Sequence, residues 1–109
     1  MEAKTPEEVF EKILPQRFNP EKAQNIDVTA QVNLTGSNSG SWVVTIKDQK
    51  ICAVKGKIPD PTLAITMTSS DFLDVINKKL GIEKAFFSGR LQLEGNVSLT
   101  LKLRDTGFL

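Results

Sequence analysis

A chain of 109 residues leaves room for a single domain and one core, with an expected radius of gyration of about 13 Å. Its 14 basic residues nearly cancel its 13 acidic ones, for a net charge of +1, so the totals supply no long-range field that would gather nucleic acid. The absence of histidine removes the commonest general base and most zinc sites, and a single cysteine excludes an internal disulfide and a cysteine metal cluster.

No apolar run approaches the roughly 20 residues that span a bilayer, and Met1-Glu2-Ala3-Lys4 lacks the apolar centre of a secretion signal, so a soluble intracellular protein is expected. The first element starts at Thr5-Pro6-Glu7-Glu8, which combines a capping threonine, a proline at the first helical position and a glutamate three residues after the cap. Val9, Phe10, Ile13 and Leu14 form its apolar stripe, and Pro15 is expected to stop it. Asn19-Pro20-Glu21 offers a second, weaker start.

From Ile26 to Leu34 apolar and polar residues alternate without a break, which predicts a strand with Ile26, Val28, Ala30, Val32 and Leu34 inside and Asp27, Thr29, Gln31 and Asn33 toward water. Gly36 to Gly40 reads as a hairpin loop, followed by a strand carrying Trp42, Val44 and Ile46, a turn at Asp48-Gln49-Lys50, and a third strand from Ile51 to Lys55. Pro59-Asp60-Pro61 is too rigid and too poor in donors for a central strand, so the chain is expected to cross there to another sheet position. Leu63, Ile65 and Met67 alternate next, and Thr68 or Ser69 caps a helix with Phe72, Leu73, Ile76 and Leu80 on one stripe.

A short helix is expected from Ile82 to Ser88, with Ala85 and Phe86 on one side and Phe87 on another, ended at Gly89. A strand from Arg90 to Glu94 follows, with Leu91 and Leu93 on one face. Beyond Gly95 and Asn96, the alternation of Val97, Leu99, Leu101 and Leu103 favours a strand, whereas a capping Asn96 favours a helix with two apolar sides; periodicity leaves both open. The order of elements predicts an α+β fold with helices packed on one face of a sheet.

Little in the chain calls for catalysis. Asp71 and Asp74 suit the start of a helix and its dipole better than a cation site, and Cys52 has no histidine to activate it, so strand packing accounts for it. Gly36 to Gly40 joins two strands and leads into no helix, unlike a phosphate loop. Lys78, Lys79, Lys84 and Arg90 cluster around the last helix and suit either a solvated face or an acidic lipid surface. No cofactor and no metal are called for.

The segment AFFSGRLQLEGN, followed by SLTLKL, resembles the sterol carrier protein 2 family, with looser agreement through Trp42-Val43-Val44, Leu63-Ala64-Ile65-Thr66-Met67 and Asp71-Phe72-Leu73. The resemblance implies one SCP2-like domain over residues 1–109, built as a five-stranded mixed sheet covered by helices, with an apolar tunnel between the layers. It implies a helix over Val97–Leu103 begun by Asn96, and tunnel or tunnel-adjacent positions at Phe72, Ile76, Phe86, Phe87, Leu91, Leu93, Val97 and Leu101.

The function so implied is a non-catalytic intracellular carrier of a fatty acid, fatty acyl-CoA, phospholipid or sterol. Its partners would be the lipid, a membrane in transient contact and an enzyme of lipid metabolism, with no nucleic acid. The alternative is a lipid-sensing or substrate-presenting module acting through a protein partner. Asn77 departs from the glycine of many family members, and asparagine tolerates the left-handed turn expected there. The ending Gly107-Phe108-Leu109 lacks the peroxisomal Ser-Lys-Leu address, so a cytoplasmic location is expected.

Overall fold

The structure, a computed structural model, describes residues 3–37, 39–96 and 98–99. Thr5 caps the first helix by accepting the Glu8 amide at 3.2 Å, with Pro6 at the first helical position as its sequence predicts. This helix, α1 (residues 6–17), has three consecutive pieces: an α turn Pro6–Glu8, a π-helical stretch Val9–Ile13 and a final α turn Leu14–Arg17. The expected stop at Pro15 does not occur. Proline lacks a donor and its ring crowds the carbonyl four residues back, but the wider π stretch immediately before it turns the carbonyls to more distant donors, so the helix runs on to Arg17.

A 3₁₀ turn at Pro20–Ala23 is capped by Asn19, whose side chain accepts the Glu21 amide at 3.0 Å. Asn25 then adopts a left-handed conformation at φ 62°, which turns the chain and delays the first strand, β1, to Val28–Thr35, two residues later than the alternation predicts. Strands β2 (Gly40–Lys47) and β3 (Lys50–Lys55) follow, joined by Asp48 and Gln49, both at positive φ, in the two-residue turn whose twist suits adjacent antiparallel strands. After the Pro59-Asp60-Pro61 crossover come β4 (Leu63–Thr68), helices α2 (Ser69–Ile76) and α3 (Ile82–Phe87), and β5 (Leu91–Gly95).

The five strands form one sheet in the order β3-β2-β1-β4-β5. Only β1 and β4 are parallel, pairing Val32 with Ile65 and Leu34 with Met67. The sheet is therefore mixed, as expected. Its register lines up Val28, Val32, Trp42, Val44, Ile46, Leu63, Ile65, Met67 and Leu91 on the face covered by the helices, where they form the core with Phe10, Leu14, Phe72 and Ile76.

The opposite face is not wholly wet. Gln31, expected toward water, is 5% exposed. The β3–β4 connection folds over it: the Gln31 amide nitrogen donates to the Gly56 carbonyl at 3.0 Å, and its oxygen accepts from the Ile58 amide at 2.9 Å. Cys52, expected to pack within its strand, is exposed on this second face.

Three contacts fix the helical layer. Phe10 on the π stretch stacks between Trp42 of the sheet, 4.5 Å away, and Phe72 of α2, 5.3 Å away. Arg17 donates to the Ile76 carbonyl at 2.9 Å, placing a cation on the negative end of α2. Asn77 and Ala3 exchange two hydrogen bonds, at 2.7 and 3.0 Å, which tie the start of the described chain to the end of α2. Asn77 itself has a negative φ, −83°; the left-handed residue is the next one, Lys78, at φ 64°.

Candidate functional site

Thr68 accepts the Asp71 amide at 3.1 Å and so starts α2 immediately after β4, which points Phe72, Val75 and Ile76 down onto the sheet. Phe72, Ile76 and Leu91 are each at most 2% exposed, and Leu93 is half-buried against the same cluster. These four of the sequence-predicted positions therefore belong to one apolar layer between sheet and helices. Leu91 and Leu93 face inward because their partners on β4 are Met67 and Ile65.

Phe86 and Phe87 stand apart from that layer. The buried side of α3 carries Ile82 and Ala85, while Phe86 is 45% and Phe87 83% exposed, their rings meeting edge to face at 5.6 Å. Val97 and Leu101 lie outside the described residues. Of the expected final helix only Ser98 and Leu99 are described: the Leu99 amide donates to the Asn96 carbonyl at 3.1 Å, the Ser98 hydroxyl donates to the Asn96 side chain at 2.6 Å, and Leu99 packs on the core.

Leu80 falls beyond the end of α2, in the connection to α3, yet is buried. The backbone amides of Lys79 and Leu80 both donate to the Asp74 carbonyl, at 2.8 and 3.1 Å, and this tight reversal leaves a cleft of about 460 Å³ between α2 and α3. Val75, Leu80 and Ile82, all members of the core cluster, line it together with Lys78, Gly81, Glu83 and Lys84. An apolar floor with charged walls can take the hydrocarbon of an amphiphile while its polar end stays near water. A smaller cleft of about 320 Å³, at the far end of β1 and β4, is walled mainly by polar side chains including Thr35, Thr68, Asp71 and Arg90.

None of the six described positions implied by the family resemblance, Phe72, Ile76, Phe86, Phe87, Leu91 and Leu93, lines either cleft, and Val75, Leu80 and Ile82 are not among the expected positions. Their common signal is weak, because Leu80 and Ile82 flank a glycine outside any regular period. Among the described residues there is no cluster of three or more acidic or cysteine side chains able to hold a metal ion, and no helix long and apolar enough to cross a membrane.

Comparison with known proteins gives this arrangement its context. Residues 10–106 match the SCP-2 sterol transfer family. Human sterol carrier protein 2 is 34% identical over 70 residues, which are 64% of this chain and 13% of that protein. The solution structure of sterol carrier protein domain 2 of Helicoverpa armigera superposes with a TM-score of 0.74 at 27% identity, covering 98% of this chain and 92% of that one. The palmitated SCP2L2 of Aedes aegypti superposes with a TM-score of 0.73 at 24% identity, covering 94% of each chain. The chain spans 13% to 22% of the length of the curated relatives it matches. With its mixed five-stranded sheet, its helices on one face and the match over residues 10–106, the chain belongs to the SCP-2 sterol transfer family.

Proposed function

We propose that this chain is a single lipid-binding domain acting as a non-catalytic intracellular carrier, in the cytoplasm, of a fatty acyl chain, fatty acyl-CoA, phospholipid or sterol. The observation that carries this reading is the apolar layer of Phe72, Ile76, Leu91 and Leu93, continuous through the core cluster with the Val75, Leu80 and Ile82 floor of the α2–α3 cleft. Phe86 and Phe87 lie outside this layer, on the exposed side of α3, and the tunnel positions that the family resemblance implies at Val97 and Leu101 fall outside the described residues. The palmitated state of the Aedes aegypti relative supports an acyl chain as the first ligand to test.

Hydrocarbon supplies the affinity in such a site. Each methylene taken out of water contributes about 0.8 kcal/mol before the cost of association, so chain length rather than head chemistry sets the gross affinity. The residues hold and shield the ligand; no proton transfer or covalent step is assigned to them. Native mass spectrometry of the purified protein, followed by denaturing extraction, tests the reading. Discrete adducts that resolve into acyl lipids or sterols are expected. A bare protein mass, together with failure to bind added palmitate, palmitoyl-CoA and cholesterol, would overturn it.

A second reading is favoured by the small share of the longer relatives that this chain spans: a module that presents lipid to an enzyme partner. Faster lipid transfer between vesicles supports the carrier, whereas partner capture that depends on bound lipid supports the presenting module.

A further inference from the structure

Phe87 is the most exposed large apolar side chain among the described residues, and it sits edge to face with a half-exposed Phe86 on the same short helix. Lys84 lies one helical turn before Phe87, on the solvent side of α3. Lys78 and Lys84 flank the α2–α3 cleft, and Arg90, exposed three residues beyond the end of α3, borders the smaller cleft together with Asp71. Between Lys78 and Arg90 the chain carries Lys78, Lys79, Lys84 and Arg90 against the single acid Glu83, so with a total of only +1 the rest of the molecule is on balance acidic.

We propose that the outer side of α3 docks on an anionic lipid bilayer, with Phe87 and Phe86 entering the headgroup layer and Lys78, Lys84 and Arg90 resting against its phosphates. Three observations favour a bilayer as the occupant. The uneven charge orients this face toward a negative surface. Two exposed aromatic rings with an exposed lysine one turn away on the same helix match a boundary that is apolar below and anionic above. The first half of this same helix, Ile82 to Lys84, walls the α2–α3 cleft, so a docked α3 carries that cleft to the bilayer with it. This deepens the carrier reading by naming where lipid is exchanged.

The test is flotation of the full chain with phosphatidylcholine vesicles and with mixed phosphatidylcholine–phosphatidylserine vesicles. Flotation is expected with the mixed vesicles alone and is expected to fade as salt rises. Replacing two cations in K84Q/R90Q should weaken partitioning about thirtyfold, and F87S, at a site already facing water, should weaken it about tenfold or more. Equal flotation of the wild type and both variants would overturn the proposal. So would a wild type that never floats, or a concentration-dependent dimer that F87S dissociates, which would make this face a contact between copies. Native mass spectra of the wild type separate the two readings: protein that carries lipid but does not float fails only as a docking surface, and protein that floats without lipid fails only as a carrier.

Discussion

Gly95 illustrates how much one residue can carry. It sits at φ 92°, and a Cβ placed there would lie 2.6 Å from the Thr62 carbonyl oxygen, the same atom that accepts the Asn96 amide at 3.0 Å. Gly95→Ala should therefore destabilise the protein by at least about 2 kcal/mol, against about 1 kcal/mol for Gly36→Ala, where φ is also positive but the space is open. Urea unfolding of the two variants compares them directly, and equal losses would refute the steric part of the account. Lys78 is the converse case, a non-glycine residue held at φ 64°, so Lys78→Gly should gain up to about 1 kcal/mol. Gln31→Leu would leave the Gly56 carbonyl and the Ile58 amide without their partner; a loss of about 1–3 kcal/mol and faster exchange of the Ile58 amide are expected.

At the scale of elements, the helical layer hangs on Phe10. Its ring joins β2 to α2 through Trp42 and Phe72, and it stands on the π stretch that lets the same helix continue through Pro15. Phe10→Ala should cost about 3–5 kcal/mol and change the emission of Trp42, the sole tryptophan, in the folded state. Unchanged emission would mean that the stack is not maintained in solution. Helix α2 depends on its cap as well: Thr68→Val keeps the shape but loses the bond to Asp71, and about 1 kcal/mol should go with it in thermal unfolding.

For the whole molecule, carriage of lipid is linked to stability. A ligand that binds only the folded state, present at a hundred times its dissociation constant, adds about 2.7 kcal/mol, which for a domain of this size raises Tm by about 10 °C or more. Delipidated protein should therefore melt lower and recover on adding palmitate. A Tm unmoved by both steps would count against burial of an acyl chain between sheet and helices.

The sequence by itself determined the α+β class, the five strands, the Thr5 cap, a cap at Thr68 or Ser69 and the inward residues of β1, β2, β4 and β5, because caps and the two-residue period are local properties of the chain. It also carried the family resemblance, in the AFFSGRLQLEGN segment. Other features were decided only by tertiary structure. The burial of Gln31 depends on a connection folding back from residues 56–58, and the exposure of Cys52 on its strand being at the sheet edge. Phe72 and Phe87 show the same limit at the candidate site: both are aromatic residues on short helices, yet one meets Phe10 beneath it and the other faces out. Which side of a six-residue helix is covered follows from how it packs on the sheet, and that depends on residues distant in sequence.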